Sequence, residues 1–165
     1  GRRRTALSKR LVDELAMQRR DILALHIASD PGLALDLVVF VLADADTLDA
    51  CAQELMSLGS EYVLITGTHE NTPQVLHRLY GNMRLLETFV FERLPGSFHG
   101  SGCTLASACA ASLAHGLDPV NAVGESLQYT WETLKHAFRT GMGQPLPNRL
   151  YWAWEMDEPE SDSKD

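Results

Sequence analysis

The chain has 165 residues, 45% hydrophobic and 22% charged, which suits one globular domain with a real core and is too short for two large ones. Its net charge of -8 excludes general nucleic-acid binding by the whole chain, since neutralising phosphates takes a basic surface. Cys51, Cys103 and Cys109 form no C-x-x-C pair, so neither a disulfide framework nor a zinc site of familiar spacing is expected. Free thiols suit a reducing cytosol. No apolar run follows the basic start GRRRTALSKR as in a signal peptide, and the longest one, Leu33 to Ala43, is too short to span a bilayer. A cytoplasmic, soluble protein is the expectation.

From Thr5 to about Ala28, apolar residues three or four apart predict a helix, ended by the Asp30-Pro31-Gly32 turn. Leu33 to Ala43 then reads as a buried helix rather than a strand. Asp46 is placed to cap a further helix running to about Leu58, with Gly59 as its stop. Glu61 to Thr66 (EYVLIT) has the pattern of a strand buried in a mostly parallel sheet. After a loop over Gly67–Pro73, Gln74–Tyr80 and Leu85–Arg93 predict a hairpin turning at Gly81-Asn82. A helix rich in Ala, Ser and Cys opens at Gly100-Ser101-Gly102 and closes at His115-Gly116. Asp118-Pro119 starts the last one, with Val123, Leu127, Trp131, Leu134 and Phe138 along its apolar stripe. From Glu155 onward the chain is acidic and reads as a disordered tail.

Gly100-Ser101-Gly102-Cys103 is the most informative segment. A glycine turn entering a helix lets successive backbone N–H groups converge where the helix dipole favours an anion, commonly phosphate. Cys103, in the first turn, is placed to act as thiolate, nucleophile or proton acceptor, or simply as a small core residue. For Cys51 and Cys109 the core reading is preferred. His99 either touches a bound phosphate or holds the turn through its backbone. His69 follows the EYVLIT strand, at the end of a sheet where ligands bind in open α/β folds. His26, His77, His115 and His136 read as solvated or core side chains. Trp131, Trp152 and Trp154 read as packing residues.

Residues from about 46 to 152 resemble the C-terminal part of bacterial hydroxymethylpyrimidine/phosphomethylpyrimidine kinases, of the ribokinase-like superfamily. The pieces that carry the likeness are YVLITGTHE, HGSGCTLASACAASLAHGL and GMGQPLPNRLYW. The resemblance implies phosphoryl transfer from ATP, with Mg2+, to a pyrimidine hydroxymethyl group and then to its monophosphate, in thiamine biosynthesis. Gly100, Ser101, Gly102 and the Cys103 amide would form the anion hole, and Cys103 would stand at the general-base position. Thr66 and Gly67 would lie near the nucleotide phosphates. The family's opening strand, with its glycine-rich pyrimidine-binding segment, has no counterpart here.

Residues 5 to about 43 resemble a C-terminal stretch of ParB-type plasmid-partition proteins, through words such as ELAMQRRDILA. The expectation is therefore an α/β fold: an incomplete ribokinase-like sheet flanked by helices, residues 44–154, after a helical segment over 1–43 and before the tail 155–165. The readings are a kinase part binding a small pyrimidine, a partition module or a non-functional hybrid. An exposed sheet edge would favour self-association, and DNA is not the expected partner.

Overall fold

The computed structural model describes residues 22–23, 37–41, 48–57, 60–67 and 72–155. One sheet has the strand order β1 (Ile22–Leu23), β2 (Leu37–Val41), β3 (Tyr62–Thr66), β4 (Gln74–Gly81), β5 (Arg84–Glu92). The helices are α1 (Leu48–Ser57), α2 (Ser101–Ala114), α3 (Pro119–Lys135) and the short α4 (Tyr151–Glu155). Of the strand pairs only β2–β3 is parallel, so among the described strands the sheet is mixed and not mostly parallel as expected.

The layers follow from the alternation of β3. Val63 and Ile65 face one side, packing with Tyr80 against Leu48, Ala52, Leu55 and Met56 of α1. Leu64 faces the other, joining Leu79 to Leu105, Cys109 and Leu113 of α2 and Ala122, Val123 and Leu127 of α3. Period-two geometry thus feeds two cores from five residues, and each fully buried aliphatic side chain contributes roughly 1.5–3 kcal/mol. The Tyr80 hydroxyl donates to Asp49 Oδ1 at 2.7 Å, which ties α1 to β4. Burial first, and then the Asp49 carboxylate, push the Tyr80 phenol far above its ordinary pKa.

Several expectations need correction. Ile22 and Leu23, expected inside a helix, form a strand antiparallel to β2. Leu37–Val41, expected in a buried helix, is a strand running parallel to β3. Its LVVFV sequence favours the pleated backbone through two β-branched valines and a third at the end, and such a strand reads as an unbroken apolar run. The expected N-terminal helical segment is therefore wrong at both places the structure describes. The hairpin corner lies one residue beyond its expected place: Gly81 still pairs with Arg84, and Asn82 and Met83 turn with φ of 51° and 62°. A two-residue turn with both φ positive matches the strand twist. Finally, α3 ends at Lys135, so Phe138 lies beyond it and bridges to Leu146.

Other elements stand as read. The caps of α3 are those expected: the Asp118 carboxylate accepts from the backbone N–H groups of Val120 and Asn121, with Pro119 at the first helical position. His115 and Gly116 close α2, and α1 and β3 fall inside their expected ranges. Asp46, Leu58, Gly59 and residues 156–165 lie outside the described residues.

Candidate active site

The turn before α2 leaves several backbone donors outside the helical ladder. Gly100 has φ 86°, a left-handed conformation that glycine adopts without strain. The first helical hydrogen bond runs from Thr104 N to Gly100 O at 3.0 Å, so the N–H groups of Ser101, Gly102 and Cys103 precede the ladder. Gly100 has no side chain to cap them. A 14-residue helix thus presents uncapped donors and the positive end of its dipole at one place. The Thr104 hydroxyl doubles the bond to Gly100 O at 2.9 Å, and Pro145 O accepts from His99 N at 3.0 Å on the other flank.

Ser101 and Gly102 open onto a cleft of about 530 Å³ that also receives Thr66 from the end of β3. The sheet delivers β3 to the head of α2 because Leu64 and α2 share one core. Thr66 itself is buried. Gly67, which follows it, passes so close to β4 that an added Cβ would lie 2.2 Å from Leu76 O. Arg93 links Gly67 to the start of β4: its Nε donates to Thr72 O at 2.6 Å, and its guanidinium reaches Gly67 O at 3.5 Å.

The far wall of the cleft is apolar and aromatic. Phe91 lies between His77 (ring centroids 5.8 Å apart, edge-on) and Trp131 (6.4 Å), with Leu127 and Leu134 beside them. The cleft therefore has a donor-rich end and a flat apolar end. That combination suits a molecule with a phosphate tail and a heterocyclic head. Among the described residues no three His, Cys, Asp or Glu side chains converge, and Glu92 is the carboxylate lining the cleft. This donor set does not fit a resident metal ion. It is compatible with Mg2+ that arrives already coordinated by phosphate oxygens and water.

Cys103 lies apart from this cleft. It is exposed and lines a second recess of about 470 Å³ with Thr104, Ser107, Glu125, Tyr129 and Arg149. The glycine turn thus separates Ser101 and Gly102 on one side from the Cys103 thiol on the other. His99 is exposed and lines neither recess, while its backbone N–H holds the turn. His69 lies outside the described residues. Cys51 and Cys109 are core residues as expected, and burial pushes the Cys109 thiol up to about 11. Sequence reasoning missed His77, Phe91, Arg93, Trp131 and Arg149. Helical periodicity had Trp131 as packing, and no local spacing marks the others.

The model of the phosphomethylpyrimidine kinase family matches residues 34–148, which takes in β2. Hydroxymethylpyrimidine/phosphomethylpyrimidine kinases from Mycobacterium bovis and Mycobacterium tuberculosis are 37% identical over 117 residues, 70% of this chain and 42% of theirs. A Bacillus subtilis pyridoxine kinase is 28% identical over 102 residues. The chain spans less than half the length of those mycobacterial relatives. Among solved structures, a Bacillus subtilis pyridoxal kinase in an ADP complex matches with a TM-score of 0.67 at 17% identity, covering 89% of this chain and 66% of that one. A Staphylococcus aureus pyridoxal kinase with AMP-PCP and pyridoxal gives 0.64 at 19%, covering 68% and 47%. These likenesses establish the ribokinase-like fold. Nothing in them supports the likeness of residues 5–43 to partition proteins. No helix among the described residues is long and apolar enough to cross a membrane. The chain belongs to the phosphomethylpyrimidine kinase family.

Proposed function

We propose that this chain is the nucleotide-binding part of an ATP-dependent hydroxymethylpyrimidine/phosphomethylpyrimidine kinase of thiamine biosynthesis. The observation that carries the reading is the cleft in which the uncapped turn at Ser101 and Gly102 meets Thr66 at one end and Trp131 and Phe91 at the other. In this reading the terminal phosphates of ATP, brought in as the Mg2+ complex, rest on the N–H groups of residues 101–103. Thr66 and Gly67 border them, and the base lies against the aromatic wall. Those N–H groups are fixed before the reaction, so they stabilise charge as it develops on the transferring phosphoryl group. The acceptor hydroxyl, approaching from the Cys103 side of the turn, bonds through its oxygen to phosphorus, the bond to the bridging oxygen of ADP breaks, and the hydroxyl proton passes to Cys103 in its thiolate form. His99 acts through its backbone, and His69 is a candidate contact to the phosphates.

A pyrimidine acceptor is favoured over a pyridoxine-like one because the pyrimidine kinases match at 37% identity, against 28% for the pyridoxine kinase. The chain is cytoplasmic in this reading. It self-associates through β5, which pairs only with β4 among the described strands and carries the exposed Leu85 and Val90. A clean monomer on size exclusion would remove that last element.

Isothermal titration with Mg-ATP tests the site. Gly102→Asp puts a carboxylate among the donors and should abolish binding that the parent shows. Equal binding by both would sink the anion-hole assignment, and no binding by a folded parent would sink the nucleotide reading altogether.

A further inference from the structure

We propose that Arg149 supplies a positive charge to the terminal phosphoryl group of the bound nucleotide, from the Cys103 side of the glycine turn. The inference rests on the nucleotide reading above and adds a phosphate-binding residue to it. Thr104 Oγ1 is the pivot: it donates to Gly100 O at 2.9 Å and accepts the Arg149 Nε–H at 3.0 Å. The hydroxyl that closes the turn therefore also fixes the guanidinium. One terminal guanidinium nitrogen lies 3.6 Å from where a Cβ on Gly100 would stand, so the charge borders the turn itself.

The backbone around Arg149 is held independently of its side chain. Tyr129 Oη donates to Arg149 O at 3.1 Å, Asn148 N donates to Thr133 O at 2.9 Å, and Leu150 N donates to Asn148 Oδ1 at 3.2 Å. Within the described residues the guanidinium is committed only through Nε, and it forms no ion pair, although Glu125 lines the same recess. An arginine anchored at Nε, with its outer N–H groups uncommitted, presents a planar pair of donors that matches phosphate oxygens. It complements the backbone donors of residues 101–103, which approach from the turn.

The test compares ATP with AMP, which shares base and ribose but lacks the terminal phosphates. Both are titrated into the full chain and its Arg149→Ala and Arg149→Lys variants, with circular dichroism confirming the fold. Arg149→Ala should weaken ATP by about tenfold or more, the scale of a lost charge-assisted bond, and leave AMP within about twofold. Arg149→Lys should recover part of the ATP loss, because it keeps the charge without the fork. Equal losses for ATP and AMP would mean a purely structural role, and no loss for either would mean no contact; both overturn the proposal while leaving the nucleotide reading intact. A parent that does not bind ATP would overturn the two together.

Discussion

The indole N–H of Trp131 donates to the backbone carbonyl of Glu92 at 2.9 Å, tying α3 to the last residue of β5 along the wall of the cleft. The ring also carries the Lys135 ammonium, 5.2 Å from its centroid, and leans toward Phe91. Packing and ligand contact can be separated here by substitution. Trp131→Phe keeps a ring but loses the donor, and should cost about 1 kcal/mol of stability. Trp131→Ala also removes the platform and should weaken ATP about tenfold, the scale of one base stacked on one aromatic ring. Urea titration and calorimetry read the two effects. Unchanged ATP affinity in Trp131→Ala would remove the base from this wall.

Gly67 gives a sharper geometric prediction. The atom that an added Cβ would meet at 2.2 Å is a backbone oxygen of β4, which cannot swing aside as a side-chain tip would. Gly67→Ala must therefore push β3 and β4 apart at the end that carries Thr66. It should cost about 2 kcal/mol or more in urea unfolding, and it should weaken ATP in the surviving folded fraction. Wild-type stability would show that the strand end has room to shift.

These relationships differ in how far the sequence reveals them. The turn at Gly100–Gly102, the Asp118 cap and strand EYVLIT are local, so composition and spacing within a few residues are enough to find them. Leu37–Val41 reads as a helix from sequence alone because a short unbroken apolar run has no period to separate strand from helix; its parallel partner β3 decides. The aromatic wall joins His77, Phe91 and Trp131 from three separate elements, and Arg149 meets Thr104 across 45 positions. Such meetings are set by how α2 and α3 pack on the sheet, and no short stretch of sequence encodes them. The resemblance to the kinases covers the turn, but it gave no role to His77, Phe91 or Arg149.

The cap of α3 predicts a pH dependence of definite sign. The Asn121 side chain first, and then the backbone N–H groups of Asn121 and Val120, hold the Asp118 carboxyl below its ordinary value. A carboxylate whose folded pKa is depressed stabilises the fold above its unfolded value, near pH 4, and loses that contribution as pH falls through the lower folded one. Asp118→Ala should lower the melting temperature at neutral pH, and the gap from the parent should narrow on acidification below about pH 4. A gap constant from pH 7 to pH 3 would mean that the charge of the cap is not what stabilises α3.

The three thiols should separate by accessibility. Cys103 is exposed at the head of α2, whereas Cys51 and Cys109 are buried, the latter with its thiol pushed up to about 11 by burial. Alkylation needs a thiolate within reach of reagent, so the native protein at pH 8 should take up one iodoacetamide, at Cys103, and the denatured protein three. Peptide mass spectrometry identifies the site. Because Cys103 and the Ser101–Gly102 cleft lie on different sides of the turn, Mg-ATP alone should leave the labelling of Cys103 largely unshielded. Complete protection by ATP would instead place the nucleotide over the thiol and reverse the assignment of the two recesses.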